Sequence, residues 1–454
     1  MAKEFRQIST SGILGYGFPE ESLKTALERG ADSLGVDGGS TDGGPYYLGS
    51  GTAFCSNLAI RRDLRLMLLG ARAYKIPLII ATCGGAGGEP HLQLVVNLAR
   101  EIAREENLHF KMAVIHAEQS KEFVKEKIAQ NRIIPFGRRP ALDPATVDKA
   151  ERIVGMMGPE PIMRALDEGA EVIFAGRSTD PAPFAAASTR AGMPSAPSWY
   201  AGKMLECGAS CSLPKGHDCI MVTVREDGVD IEPANPIRRC TPTGIANFSL
   251  HENASPVRFT EPGGTLDTSD CTFDALSDRA VRVKGMRWEK AEKYTIKLEA
   301  AEKVGYRAIC VAGTRDPKLI ARVDAFLEDV RGEVAYKVQA FGVKPEDYNL
   351  CIRTYGHNGV MAEREFVKEI RGHELGFLID VVAPSQETAS AVLAVARANM
   401  LHTDFPGRLC REGNMAFPLS PSDVPVGAAY RFSIAHLVVP DDPYCMFPIE
   451  YENV

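Results

Sequence analysis

The chain has 454 residues, of which 45% are hydrophobic and 24% charged, with a net charge of −7 and a pI of about 5.8. That balance belongs to a globular protein too long for one ordinary core, so about two or three domains are expected. No polybasic run occurs, which excludes the electrostatic footprint of a nucleic-acid binder, and no apolar stretch is long enough to span a membrane. Met1 to Gln7 lacks the apolar core of a signal peptide, so a cytoplasmic location is expected. The eleven cysteines are odd in number and scattered, which suits reduced thiols. Cys207, Cys211 and Cys219 lie near His217 but lack the close pairs of a zinc site, so small buried cysteines are the plainer reading.

From residue 8 to residue 180, short apolar runs alternate with amphipathic stretches. Ile13-Leu14-Gly15 reads as a first strand, and Glu21 to Arg29 as a helix with Pro19 and acids at its start. Ser33 to Val36 is a strand that runs into Asp37-Gly38-Gly39-Ser40-Thr41-Asp42-Gly43-Gly44-Pro45-Tyr46-Tyr47. Glycines there let backbone approach a ligand, successive N–H groups can form an anion nest, and the acids can take a proton or a metal. Asn57 to Tyr74 is a long helix, Pro77 to Ala81 a buried strand ending in Thr82-Cys83-Gly84-Gly85, and His91 to Arg104 a helix. Phe110 to Ile115 is a strand ending in His116-Ala117-Glu118, and residues 119–130 are helical. Near-continuous apolar strands alternating with helices predict a mostly parallel α/β sheet with helices on both faces. Ligands bind such sheets at the carboxyl ends of the strands, where Asp37, Asp42, Thr82, Cys83, His116 and Glu118 all fall.

An internal echo strengthens this. Leu27-x-x-Gly30-Ala31-Asp32 leads through a strand to Ser40-Thr41-Asp42-x-x-Pro45, and Leu166-x-x-Gly169-Ala170-Glu171 leads through a strand to Ser178-Thr179-Asp180-x-x-Pro183. Ser-Thr-Asp alone is a helix-capping signature. Arg177 beside the second copy is suited to a carboxylate or phosphate.

Residues 184–215 are a junction containing Glu206, a further acid–base candidate. Ile220 to Val224 and Val229 to Ile231 form a hairpin about Asp227-Gly228, and residues 235–275, rich in Pro, Gly, Thr and Ser, hold no obvious helix. The last third reads as strand Arg307 to Ala312, helix Pro317 to Phe341, strands Tyr348 to Thr354 and Leu375 to Val382, helix Ser385 to Met400 and strand Tyr430 to Val439. That is β-α-β-β-α-β, the ferredoxin-like order of an α+β domain. Between its middle strands lies Tyr355-Gly356-His357-Asn358-Gly359, foremost a turn and secondarily a polar contribution to a cleft. The resulting plan is an α/β domain at 1–215, a loop-rich β subdomain at 216–300 and a ferredoxin-like domain at 301–454.

No dinucleotide fingerprint, phosphate-binding P-loop, G-x-S-x-G elbow or H-E-x-x-H occurs. As a set, Gly17-Phe-Pro-Glu-Glu-Ser22, Gly35-Val-Asp-Gly-Gly-Ser-Thr-Asp42 with Gly44-Pro-Tyr-Tyr-Leu-Gly49, Thr82-x-Gly-Gly-Ala-Gly-Gly88, Phe174-Ala-Gly-Arg-Ser-Thr-Asp-Pro181 and Leu205-Glu-Cys-Gly208 resemble the acyclic terpene utilisation (AtuA-like) family. The resemblance implies a catabolic setting, acyl-CoA intermediates and a small companion protein, and it carries no residue-level mechanism.

Elimination and the residues together point to a cofactor-poor lyase of the hydratase or dehydratase type, or an isomerase. Its substrate would be a small hydroxy or unsaturated carboxylic acid, or the CoA thioester. Asp37, Asp42, Asp180, Glu118 or Glu206 would serve as base, with His116, His357, Cys83 or Tyr46 as proton partner. Arg177 and the N–H groups of Gly38, Gly39, Gly84 and Gly85 would hold the anion, with Ser40, Thr41, Thr82, Ser178, Thr179, Tyr355 and Asn358 as further polar contacts. Converging acids would also suit Mg²⁺, although a metal-free site is preferred for want of tight ligand spacing. Cys83 next to a glycine loop is a separate candidate as a thiol nucleophile. A homo-oligomer is expected. The alternative is a partner-dependent subunit that binds an acid or acyl-CoA without turning it over alone.

Overall fold

Three short segments, Ser33–Asp37, Leu78–Ala81 and Val172–Ala175, are buried at every position, as strands covered on both faces must be. They lie at the centre of the sheet in the computed structural model, which describes residues 4–250, 254–410 and 414–454. The chain divides into two units, Met1–Glu302 with Phe432–Val454, and Lys303–Arg431.

In the first unit the elements run β1 (Glu4–Ser9), α1 (Glu20–Glu28), β2 (Ser33–Asp37), α2 (Pro45–Ser50), α3 (Asn57–Tyr74), β3 (Leu78–Ala81), α4 (Glu89–Glu106), β4 (Lys111–Ile115), α5 (Lys121–Ala129), β5 (Ile133–Pro135), α6 (Pro144–Lys149), β6 (Ala150–Met156), α7 (Glu160–Asp167), β7 (Val172–Ala175), α8 (Ala182–Arg190) and α9 (Ser195–Leu205). There follow β8 (Ile220–Arg225), β9 (Gly228–Pro233), α10 (Pro242–Phe248), β10 (Arg258–Glu261), β11 (Gly264–Asp267), β12 (Thr272–Ala275), β13 (Val281–Lys284) and β14 (Arg287–Lys290). Strand β15 (Ile296–Thr314) begins here and ends in the second unit.

The main sheet has the order β12-β13-β9-β8-β1-β2-β3-β7-β4-β19, where β19 is Ile449–Asn453. Its middle, β1-β2-β3-β7-β4, is parallel. Strand β8 joins β1 and β19 joins β4, both antiparallel, so the sheet is mixed rather than mostly parallel. Alternate residues of β3 serve opposite faces. Leu78 and Ile80 join Leu27, Leu64, Leu68 and Val96 in one core, and Ile79 and Ala81 join Ile162, Leu166 and Ala186 in the other. Helices therefore cover both faces, as the apolar runs predict.

Two local expectations fail. The first strand is Glu4–Ser9, not the run Ile13-Leu14-Gly15, which is a turn closed by the Tyr16 N–H on the Ile13 carbonyl (3.0 Å). Leu14 and Phe18 are apolar because the loop itself packs into the core. The stretch 235–275 does contain a helix, α10, capped by Thr241, whose Oγ1 accepts the Gly244 N–H at 3.1 Å. The Thr-Pro pair that resembles a turn is an N-cap followed by proline in the first helical turn.

The second unit contains α11 (Pro317–Ile320), α12 (Val323–Lys337), β16 (Asn349–Tyr355), β17 (Leu375–Ala383), α13 (Gln386–His402) and the start of β18 (Asp423–Val438). Ser385 caps α13, accepting the Thr388 N–H at 3.0 Å. Strand β17 pairs antiparallel with both β15 and β16, and the unit's core includes Phe326, Val330, Ile379, Val392 and Leu393. Among the described residues, no helix is long and apolar enough to cross a membrane.

Candidate functional site

Asp37 is the last residue of β2, Thr82 follows β3, and Arg177 and Asp180 follow β7. Since β2, β3 and β7 are parallel neighbours, these side chains leave the sheet at one carboxyl edge. Thr82 is fully buried with φ of +50°, a left-handed conformation that is strained for a β-branched residue. It is held there from three directions. Its N–H donates to the Gly176 carbonyl (2.9 Å), and its Oγ1 accepts the Ser178 N–H (3.3 Å) and lies 3.5 Å from Arg177 Nη1.

Arg177 is buried among carboxylates. Its Nε donates to Glu299 Oε2 at 2.9 Å, and its Nη1 donates to Asp180 Oδ1 at 3.0 Å and to the Ser178 carbonyl at 2.8 Å. Burial alone would raise the Glu299 carboxyl. Arg177, together with Lys297 at 2.7 Å, outweighs that and holds it down at about 2. The guanidinium expected to meet a substrate carboxylate is thus already committed to Glu299 and Asp180.

The remaining acids show the opposite behaviour. Burial, then the charge of Asp180, pushes the Asp37 carboxyl well above its ordinary range despite Arg177. Asp180 is also raised by burial, against the pull of Arg177 and Lys203, and Asp42 adds to the rise. Glu206, at the end of α9, receives the Lys203 ammonium at 2.5 Å, yet burial, helped by Asp180, lifts it to about 8. Glu261, at the end of β10, accepts the Thr179 hydroxyl and is lifted by burial to about 7. Asp180 keeps 29% of its side chain accessible, so this member of the group meets solvent. A set of carboxyls whose pKa values are raised, on the ligand-binding edge of an α/β sheet, can both take a proton from carbon and give one to a leaving oxygen.

The glycine loops do something other than expected. The Gly38 N–H donates to the Ala81 carbonyl (2.7 Å), Gly39 to Asp37 Oδ1 (3.2 Å) and Gly85 to the Thr82 carbonyl (3.2 Å), so these three donors are already used. A Cβ on Gly39 would stand 2.7 Å from Gly85 Cα, and one on Gly38 2.5 Å from the Thr82 carbonyl oxygen. The glycines let two loops pack backbone to backbone. Gly84 accepts the Phe54 N–H through its carbonyl at 3.0 Å. Ser40 Oγ accepts the Asp42 N–H (3.1 Å), capping the short turn Thr41–Gly43, and Asp42 and Tyr46 are exposed. Ser178 Oγ lies 3.4 Å from Thr82 Oγ1.

The other candidates have partners of their own, His116 and Glu118 at the same edge beyond β4. Cys83 is fully buried in the core with its thiol toward the Ile80 carbonyl (3.5 Å), and burial pushes its pKa up rather than down, contrary to an activated thiol. Glu118 accepts the Glu89 N–H at 2.8 Å, capping α4, and His116 Nδ1 lies 2.8 Å from Glu89 Oε2, so both gather about Glu89. Tyr355, His357 and Asn358 belong to the second unit, where His357 Nε2 bonds Asp324 Oδ1 at 3.1 Å. Residues missed from sequence are Lys203, Glu261 and Glu299. Only Lys203 left a local signal, being three residues before Glu206 on one helical face. Among the described residues, no group of three or more His, Cys, Asp or Glu side chains is placed to hold a metal ion. Cys83, Cys211, Cys219, Cys240 and Cys310 are buried thiols outside any disulfide.

A family model described as "Acyclic terpene utilisation family protein AtuA" matches residues 61–215, a span that includes Thr82, Arg177, Asp180, Lys203 and Glu206. No curated protein and no solved structure matches the chain.

Proposed function

We propose that this chain, an AtuA-like protein, takes part in the breakdown of acyclic terpenes and chemically similar acids as a proton-transfer enzyme. Its reaction is hydration, dehydration or isomerisation of a small hydroxy or unsaturated carboxylic acid or its CoA thioester. One observation carries the reading: the buried carboxyl of Glu206 and the half-buried one of Glu261, lifted to about 8 and about 7, stand about Asp180 at the carboxyl edge of the parallel strands. In an elimination, an ionised carboxylate of this group takes the proton next to the carbonyl and a protonated one gives its proton to the departing hydroxyl, which leaves as water. Addition runs the same steps in reverse, and isomerisation returns the first proton to another carbon. Lys203 supplies positive charge beside Glu206, while Arg177 fixes Asp180. The test is incubation of the purified protein with hydroxy and unsaturated acids and their CoA thioesters in D₂O. Deuterium entering at the carbon next to the carbonyl, and lost with Glu206→Gln, supports the reading. Absence of exchange with every compound overturns it.

A second reading, a partner-dependent subunit, is favoured by exposed apolar side chains on the second unit, Val360, Phe366 and Leu409. Turnover that appears only when a second purified chain is added would establish it. We read the second unit as ferredoxin-like, a reading supported by the antiparallel neighbours β16, β17 and β15.

A further inference from the structure

Glu261 reaches the acid group from outside the main sheet. It is the last residue of β10, and β10, β11 and β14 form a separate three-stranded antiparallel sheet. Glu261 pairs with Gly264 across the two-residue turn Pro262-Gly263. Gly263 has φ of +83°, the positive value that the third position of a type II turn requires, and proline suits the position before it. The turn fixes the register of the hairpin. Where the Glu261 carboxyl stands relative to β7 depends on what holds the hairpin tip.

Tyr294 holds that tip. Its aromatic ring lies against the turn, since a Cβ on Gly263 would stand 3.2 Å from Tyr294 Cδ2 and Cε2. Its hydroxyl donates to Glu160 Oε2 at 2.6 Å, and Glu160 is the first residue of α7. The segment before α7 completes the grip. A Cβ on Gly158 would stand 2.5 Å from Tyr294 Oη, 2.6 Å from Glu160 Oε2 and 3.1 Å from Pro262 Cβ, so tyrosine, acid and turn meet over one glycine. The residue before that glycine, Met157, accepts the Thr179 N–H through its carbonyl at 2.9 Å. The Thr179 hydroxyl in turn donates to Glu261 Oε2. The contacts therefore close a circuit. It runs from Thr179 through Met157 and Gly158 to Glu160 and Tyr294, then through Gly263 to Glu261 and back to Thr179, the neighbour of Asp180.

We propose that Tyr294 is a positioning residue of the site: through Glu160 and the Pro262-Gly263 turn it keeps the Glu261 carboxyl on the Thr179 hydroxyl, beside Asp180. The chemical role given to Glu261 rests on the proton-transfer reading, whereas the circuit of contacts stands without it. Tyr294 acts only through Glu261. A carboxyl held in the circuit is kept from water, and that burial outweighs the Thr179 hydroxyl and favours the protonated form. A released carboxyl meets solvent and titrates as an ordinary glutamate.

The test is an NMR pH titration of the full chain carrying ¹³C at its glutamate carboxyls, with Glu261→Gln and Glu206→Gln to assign the two signals. The wild-type Glu261 carboxyl is expected to titrate at about 7. Tyr294→Phe keeps the aromatic ring and removes only the hydroxyl. In that variant the Glu261 titration is expected to move down by about one pH unit or more, toward 4.5, while that of Glu206 stays in place. Glu160→Gln still offers the Tyr294 hydroxyl an acceptor and is expected to match the wild type, whereas Glu160→Ala is expected to match Tyr294→Phe. An unmoved Glu261 titration in Tyr294→Phe overturns the inference. So does an equal shift of Glu206, which would mean general loosening, and so does a Glu160→Gln protein that behaves as Glu160→Ala. A wild-type Glu261 that titrates at 4.5 overturns it as well, because no carboxyl would then be held. The titrations need no substrate, so failure of the proton-transfer reading appears separately, as absent deuterium exchange with the Glu261 shift intact.

Discussion

Asp32 and Glu171 hold matching places on the two sides of β3. The Asp32 N–H donates to the Arg6 carbonyl at 2.8 Å, and its Oδ2 accepts the Arg6 N–H at 2.7 Å. The Glu171 N–H donates to the Lys111 carbonyl at 2.8 Å, and its Oε2 accepts the Lys111 N–H at 3.0 Å. Each acid thus grips the first turn of the outer strand, β1 or β4, beside the strand it begins. Each follows a left-handed glycine, Gly30 at φ +83° or Gly169 at +80°. Outward from β3 the strand order is β2 then β1 on one side and β7 then β4 on the other, and α1 and α7 pack in opposite cores. A two-fold rotation about β3 relates the halves, and it carries Ser40-Thr41-Asp42 toward Ser178-Thr179-Asp180.

The equivalence has an energetic consequence. Asp32→Ala is expected to lower stability by about 1 kcal/mol, the typical net loss of such a hydrogen bond, and Glu171→Ala by somewhat more, because its carboxylate also accepts from the Arg72 guanidinium. Two inter-strand spacings, across β3, separate the sites by roughly 10 Å and they share no partner, so the double variant should show the sum. Urea unfolding midpoints of the two single variants and the double check this. A double variant no worse than either single one would refute independent clamps.

What the sequence revealed is what local pattern can encode. Leu78 to Ala81 and Val172 to Ala175 are unbroken apolar runs, so their strands, and the placement of Thr82, Arg177 and Asp180 just beyond them, were legible. Strand β1, Glu4-Phe-Arg-Gln-Ile-Ser9, holds only two apolar residues with no regular alternation and was hidden beside the more apolar Ile13-Leu14, which packs as a loop. Glu299 and Glu261 escaped because their partners are distant in the chain. Arg177 and Glu299 are 122 residues apart, and Thr179 and Glu261 are 82 apart. Periodicity reports which face of an element is buried and is silent on which charges meet there. The same limit made the glycines look like an anion nest, when Gly38, Gly39 and Gly85 are small because another backbone lies against them.

Arg177 is the cation on which the buried acids depend most directly. Arg177→Met leaves Asp180 without its hydrogen-bonded cation and Glu299 with Lys297 alone, and is expected to cost about 3–5 kcal/mol, the range for breaking a buried pair from one side. Arg177→Lys keeps the charge but cannot reach both carboxylates with a planar fork, so an intermediate loss is expected. Adding Glu299→Gln to Arg177→Met should recover part of the loss. Guanidinium unfolding of the three variants measures each step, and no recovery in the double variant would count against the pairing as the cause.

Thr82 separates strain from bonding. Thr82→Ala removes the hydroxyl that accepts the Ser178 N–H but keeps a Cβ at φ +50°, whereas Thr82→Gly removes both. A left-handed residue with a Cβ is less favourable than glycine by about 1 kcal/mol, so the glycine variant should be the more stable of the two by roughly that amount. Thermal melts of both proteins decide it. An alanine variant equal to or better than the glycine variant would mean that the conformation carries no strain.

Glu206 gives stability a direction with pH. Burial raises its carboxyl from 4.5 to about 8, so between those values the folded chain binds a proton that the unfolded chain has released. The contribution is therefore full below about 4.5 and is lost as pH rises through about 8, and Glu261, raised to about 7, acts with the same sign. Wild-type stability is expected to fall from pH 5 to pH 8.5 by about a few kcal/mol from these groups. Glu206→Gln has the same shape and no proton to lose, so its stability should decline more gently over that interval. Denaturant titrations of both proteins at several pH values compare the slopes. Parallel slopes would show that Glu206 is ionised in the folded chain throughout, and would remove the proton donor on which the elimination chemistry depends.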